Sequence, residues 1–314
     1  MTGHVLLKEL DVRNCCMERS PVLPGINHDV VAFVMARWQE SGGFGFAPTL
    51  PASVEDTYHA IRILETIRPV SERELQELKG NQHLKGFLMG KEDKETWSFK
   101  TTYQYLALCA FCKLCPDQGW LNQSLGKRLK EDVSFRDGYY LARIQRECPS
   151  SIAEPPRRTG PGGPSKGWRG ALDGTGKKNW RTAEELWMVL YLHEGSPEVL
   201  PTPKEDLIKW LQACQTPDGG FGVLPGTTSF IENTHWCLRS LALLGSAPLS
   251  HDRALGFILR CKTRRGGFSR KPLAAPFLYA TWHAVAGLDL LSKITQIRRS
   301  GKERPLARED GGEK

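Results

Sequence analysis

Apolar residues recur three or four apart in DVVAFVMARWQ (29–39), EDLIKWLQACQ (205–215) and DRALGFILRCK (252–262). That spacing places them on one face of an α-helix. Each segment runs into a Gly-Gly-Phe triplet, at Gly42, Gly219 and Gly266. A proline follows six residues after the first glycine (Pro48, Pro225, Pro272) and a threonine fifteen residues after it (Thr57, Thr234, Thr281). A second helical apolar pattern begins at each threonine. One unit therefore reads as helix, glycine turn, proline-containing loop, helix. The glycines suit the left-handed cap that ends the first helix. The triplets Glu55-Asp56-Thr57 and Glu232-Asn233-Thr234 put acids and short acceptors where a helix start has unpaired amides.

Two weaker copies extend the pattern. Lys85-Gly86-Phe87 leads to Thr102-Tyr103 and the helix QYLALCAFCKL, and Gly167-Trp168 leads to Thr182 and AEELWMVLYLH. SFRDGYYLARIQRE (134–147) fits a further degenerate unit. The proline- and glycine-rich stretch 155–167 reads as an insertion. The expected organisation is an N-terminal extension (1–29), a repeat domain (30–296) and a disordered basic tail (297–314).

The repeat resembles that of the prenyltransferase and squalene-cyclase family, with protein prenyltransferase β-subunits closest in look. The resemblance implies an all-α fold, an α6/α6 toroid of tandem helix hairpins. The inner helices would start at the threonines and enclose an apolar cavity. Residues just after the threonines would line it: Tyr58, His59, Tyr103, His235, Trp236, Trp282 and His283, with Trp187 further along its helix. Trp236 falls where the β-subunits have an isoprenoid-contacting tryptophan, and Tyr279 where they have a cavity tyrosine. Aromatic walls suit a polyisoprenoid through area burial and π-contact; they equally suit the core of a packed barrel.

The family's zinc enzymes use Asp, Cys and His ligands. The matching positions here are Phe230, Glu232 and Ala280, so no zinc or other cofactor is expected. The positions of the family's diphosphate-binding Arg and Lys are Leu224 and Thr227. Lys178, Arg181, Arg270 and Lys271 lie near in the repeat register as substitute anion ligands. Class II cyclases carry Asp-x-Asp-Asp-Thr at an inner-helix start. Here the stretch is Ser53-Val54-Glu55-Asp56-Thr57, which leaves Glu55 and Asp56 as a candidate acid pair sharing a proton.

Composition narrows the rest. The net charge of +8 is concentrated in 157–181 and 298–308, with no helix-turn-helix or aromatic-interleaved sheet pattern to indicate nucleic acid. No apolar run reaches the roughly 20 residues of a membrane helix, and the N-terminus lacks a signal-peptide pattern. The nine cysteines form no evenly spaced framework. A cytoplasmic location follows. Cys109, Cys112 and Cys115 read as small residues on a core helix. His59, His235 and His283 occupy equivalent or adjacent repeat positions and are expected to converge around the ring. Three functions follow: a prenyltransferase-type enzyme binding an isoprenoid or its diphosphate, with a helical partner subunit; a non-catalytic toroid for a lipid-like ligand or a protein; or a cyclase using Glu55 and Asp56.

Overall fold

The computed structural model describes residues 24–67, 71–90, 94–128, 134–148, 180–193 and 202–302. Its helices are α1 (Pro24–Met35), α2 (Val54–Thr66), α3 (Glu72–Gly80), α4 (Gln82–Met89), α5 (Phe99–Cys112), α6 (Gln118–Arg128), α7 (Phe135–Glu147), α8 (Ala183–Leu192), α9 (Lys204–Ala213), α10 (Ile231–Leu243), α11 (His251–Arg260) and α12 (Leu278–Lys302). Two short antiparallel hairpins precede inner helices: β1 (Phe44–Gly45) with β2 (Ala52–Ser53), and β3 (Phe221–Gly222) with β4 (Ser229–Phe230).

Six helices form an inner ring. Going round, α2 packs on α5, α5 on α7, α7 on α8, α8 on α10, α10 on α12, and α12 returns to α2. The toroid predicted from the repeat is thus closed. The first and last described outer helices also meet. Lys262, after α11, pairs with Asp29 of α1 at 2.5 Å across 233 residues of sequence.

The fixed spacing of the repeat has a local cause. The buried threonine hydroxyl accepts the amide of the repeat phenylalanine thirteen residues earlier: Phe44 to Thr57 at 2.9 Å, Phe221 to Thr234 at 3.0 Å, Phe268 to Thr281 at 2.9 Å. All six residues are fully buried. The loop between them is the length that brings hydroxyl under amide. Thr234→Val keeps the shape and leaves the Phe221 N–H unpaired, a loss of about 1–3 kcal/mol. Thr234→Ser keeps the acceptor and is expected to lose less; chemical denaturation of the two variants checks the difference.

Several local expectations change. The threonines do not open their helices. Ser53 caps α2, its hydroxyl oxygen accepting the Asp56 amide at 3.0 Å, and Thr57 sits in the first turn. Thr182 is a true cap. With Glu185 it forms a capping box on α8, so it corresponds to Ser53 and not to Thr57. Gly42, Gly219 and Gly266 lie beyond the ends of α1, α9 and α11 rather than capping them, with φ of 96°, 93° and 91°. A Cβ there would come within 2.1 Å of the His83 carbonyl oxygen, 2.1 Å of that of Arg253 and 2.3 Å of that of Asp29. Each glycine therefore serves the backbone of a neighbouring repeat's outer helix. Lys85-Gly86-Phe87 is not a turn; it lies inside α4. The first helix begins at Pro24, and α12 runs to Lys302, past the point where the tail was drawn. The insertion 155–167 and the remainder of the tail fall outside the described residues.

Candidate functional site

The ring supplies a common register. Counting from the first residue of α2, α5, α7, α8, α10 and α12, the second position is Glu55, Lys100, Arg136, Glu184, Glu232 and Tyr279. The fifth is Tyr58, Tyr103, Tyr139, Trp187, His235 and Trp282, and the sixth is His59, Gln104, Tyr140, Met188, Trp236 and His283. These positions share one helical face, and their contacts run round the inside of the ring.

The second position forms the rim, held by ion pairs. Lys100 meets Glu55 at 2.6 Å, Arg136 meets Glu184 at 2.8 Å, and Arg270, from the loop before α12, meets Glu232. Glu55 is therefore half of a surface pair. Asp56 accepts the Ser53 hydroxyl at 2.7 Å, and its pKa is raised by burial and, to a smaller extent, by the charge of Glu55. The two carboxylates have separate partners.

Below the rim lies a continuous aromatic layer. All nine residues read from the sequence as cavity-lining join it. His59 is 5.1 Å from Tyr279 and 5.4 Å from Trp282, ring centre to ring centre. Trp282 is 6.2 Å from Trp236, which stacks on Trp187 at 6.5 Å. Tyr58 meets Tyr103 at 5.8 Å. Residues outside the sequence reading complete the circle on α7 and α8. Tyr140 lies 6.0 Å from Tyr103, Tyr139 lies 5.2 Å from Tyr191, and the Trp187 indole N–H donates to the Tyr139 hydroxyl at 3.1 Å.

The three histidines do converge. His235 and His283 share a hydrogen bond between their Nδ1 atoms at 2.7 Å, and His59 packs on the same tryptophan. Burial pushes all three pKa values down, that of His59 to about 3. Two neutral imidazoles sharing one proton satisfy that geometry, one donating and one accepting. The Nε2 of His283 and Nδ1 of His59 are buried without a hydrogen-bond partner. The layer is thus apolar and uncharged, with lone pairs or N–H groups set into it.

The donor set does not fit zinc. Phe230 and Ala280 have no ligating atom, and the Glu232 carboxylate is engaged by Arg270. Among the described residues no three His, Cys, Asp or Glu side chains are placed to hold a metal. Cys109 and Cys112 are buried on α5, and burial pushes both thiols up to about 11. The candidate diphosphate ligands stand as follows. Arg270 is neutralised by Glu232, Arg181 and Lys271 are exposed at the surface, and Lys178 lies outside the described residues.

A deeper polar layer went unread in the sequence. At the ninth position stand Arg62, Ala107, Arg143, Tyr191, Arg239 and Ala286. Arg143 is 7% exposed and grips Glu147 through Nε at 2.7 Å and Nη2 at 2.8 Å. Glu147 also accepts the Tyr103 hydroxyl at 2.6 Å and the Tyr191 hydroxyl at 2.9 Å. Burial raises its pKa, but the Arg143 charge and these hydrogen bonds outweigh burial and bring it down to about 2. The alignment of Ser-Phe-Arg-Asp-Gly-Tyr-Tyr (134–140) with Ser-Val-Glu-Asp-Thr-Tyr-His (53–59) was the available signal.

Geometry thus defines a closed α/α toroid whose inner face is a ring of aromatic and neutral imidazole side chains. A family model described as the prenyltransferase alpha-alpha toroid domain matches residues 13–115, 179–254 and 233–301. The chain belongs to that family. A curated relative is the geranylgeranyl transferase type-2 subunit beta of Saccharomyces cerevisiae, 24% identical over 279 residues, covering 85% of this chain and 74% of the yeast protein. Among solved structures, the type II terpene cyclase MstE from Scytonema aligns with a TM-score of 0.52 at 13% identity, over 89% of this chain and 100% of the cyclase. A tyrosine-to-phenylalanine variant of the same cyclase aligns with a TM-score of 0.53 at 13% identity, over 88% of this chain and 98% of that one. These likenesses show the fold. No helix of the described residues is long and apolar enough to cross a membrane.

Proposed function

We propose that the toroid binds an isoprenoid chain along its aromatic layer, in the service of a prenyltransferase-type reaction that does not use the family's zinc site. The observation that carries this is the unbroken circuit of rings contributed by all six inner helices. A polyisoprenoid offers apolar area and alkene π-faces and no hydrogen bonds, and such a wall matches it. Neutral histidines preserve that match, since a charged imidazolium would cost more to bury. The yeast relative is by name a β-subunit, which supports a partner subunit.

The test is native mass spectrometry, with elemental analysis, of the protein with farnesyl diphosphate, geranylgeranyl diphosphate and farnesol. A one-to-one isoprenoid adduct without zinc is expected. Trp236→Ala, which removes a ring from the middle of the circuit, is expected to weaken isoprenoid binding roughly tenfold or more, the loss of about 1.5–3 kcal/mol of buried contact. Stoichiometric zinc would overturn the donor-set argument. Absence of any adduct would favour a non-catalytic toroid that binds a protein.

A further inference from the structure

We propose that Arg62, Arg143 and Arg239 form a binding site for one anionic headgroup, a carboxylate or phosphate, on the inner helices below the aromatic layer. Its ligand would be an amphiphile whose apolar chain lies on the rings. The chain half of this statement rests on the function proposed above; the headgroup half does not.

The argument begins with placement. The ring order is α2, α5, α7, α8, α10, α12. At the ninth position the arginines fall on α2, α7 and α10, every second helix, about a third of a turn apart. The helices between carry Ala107, Tyr191 and Ala286. Three long cations therefore alternate at this level with two alanines and a tyrosine.

Charge is the second element. Glu147 takes Nε and Nη2 of Arg143, and Glu65 takes Nη1 of Arg62 at 2.8 Å. Arg239 has no carboxylate partner among the described residues. Its guanidinium carbon lies 4.0 Å from the centroid of the Trp187 ring. That cation–π contact engages the charge without using an N–H donor. Two carboxylates against three guanidiniums leave one positive charge, and Arg239 carries it. It is half-buried, and burial pulls its pKa down, as expected for a cation short of a counter-ion. Arg62 keeps 45% of its side-chain surface accessible while its charge is felt by Tyr58, Tyr103 and Arg143. The level is thus both reachable and electropositive. Uncompensated charge in such surroundings is costly, and an anion with two or three oxygens would relieve it through planar, charge-assisted bonds.

The rim lacks these features. Its cations are paired with Glu55, Glu184 and Glu232 or stand exposed. The headgroup therefore points inward and the chain outward.

The experiment compares farnesol, farnesoate, farnesyl phosphate and inorganic phosphate by calorimetry and by tryptophan fluorescence, since the Arg239 guanidinium lies against Trp187. The anionic amphiphiles are expected to bind at least tenfold more tightly than farnesol. Farnesoate and farnesyl phosphate separate carboxylate from phosphate preference. Arg239→Gln is expected to abolish the tenfold advantage and leave farnesol affinity unchanged, with Arg239→Lys keeping part of it. Arg239→Gln strands no carboxylate, so it should fold; Arg62→Gln, read the same way, is the second variant. Equal affinity for farnesol and the anions in the unsubstituted protein overturns the headgroup site and leaves the chain-binding reading standing. Binding of inorganic phosphate that Arg239→Gln removes, without any binding of farnesol, supports the headgroup site and sinks the chain reading. An anion advantage that survives both glutamine variants places the headgroup elsewhere and overturns this proposal.

Discussion

Replacing Gly266 with alanine is expected to destabilise the protein by about 3 kcal/mol or more. The residue has φ of 91°, where an L side chain is strained by roughly 1–2 kcal/mol. The new Cβ would also stand 2.3 Å from the Asp29 carbonyl oxygen and 3.3 Å from the Phe33 Cβ. Backbone of a neighbouring helix cannot swing aside as a flexible side-chain end can, so the overlap adds an overpacking cost of about 1–3 kcal/mol. Gly86→Ala is the matched control. It lies inside α4 with nothing within 4 Å of the added atom, and alanine there is expected to stabilise by up to about 1 kcal/mol. Denaturant unfolding of the two variants measures both. A Gly266→Ala protein within about 1 kcal/mol of the unsubstituted chain would mean that α1 does not close on the last repeat as described.

The second large effect lies among the inner helices. Glu147→Gln is expected to cost about 1–3 kcal/mol at neutral pH. The amide keeps the size of the side chain but removes the charge opposite the buried Arg143, and the 27% of the Glu147 side chain open to solvent screens part of the loss. Titration sets the upper end of that range. The Glu147 pKa falls from its ordinary 4.5 to about 2, and each unit corresponds to about 1.4 kcal/mol. A depressed carboxylate contributes stability that is present above its unfolded pKa and lost as pH falls through the folded one. The unsubstituted protein should therefore lose this contribution between about pH 4.5 and pH 2, while Glu147→Gln lacks that portion of the acid limb. Unfolding midpoints at neutral pH and near pH 3 separate the two. Parallel curves would show that the Arg143–Glu147 pair contributes nothing net.

What the sequence made legible was whatever repeats locally. Gly-Gly-Phe and the threonine fifteen residues on are joined by one hydrogen bond inside one unit, so their spacing survives three times. The aromatic layer was legible for the same reason, because residues next to a fixed anchor share its direction. The seventh helix was only half read, since Gly138 stands where four of the other five inner helices have threonine. Thr182 was matched four residues out of register, whereas its capping box marks a helix start. Contacts between repeats were not legible. Glu55 looked like an acid until Lys100, 45 residues away, took its carboxylate. Gly266 looked like a helix cap until the Asp29 carbonyl appeared above it. The three arginines needed the true first residue of each inner helix before they fell at one register position.

An open array of hairpins has two outermost members, each with one bare side, and these can fray while the middle stays folded. Among the described residues of this chain no hairpin is outermost. Its first outer helix rests on the turn of its last repeat, and α12 lies against α2. Loss of any one hairpin strips a face from two others and opens the barrel. Stability here is held in common, so the chain is built to melt in a single cooperative step rather than from its ends inward.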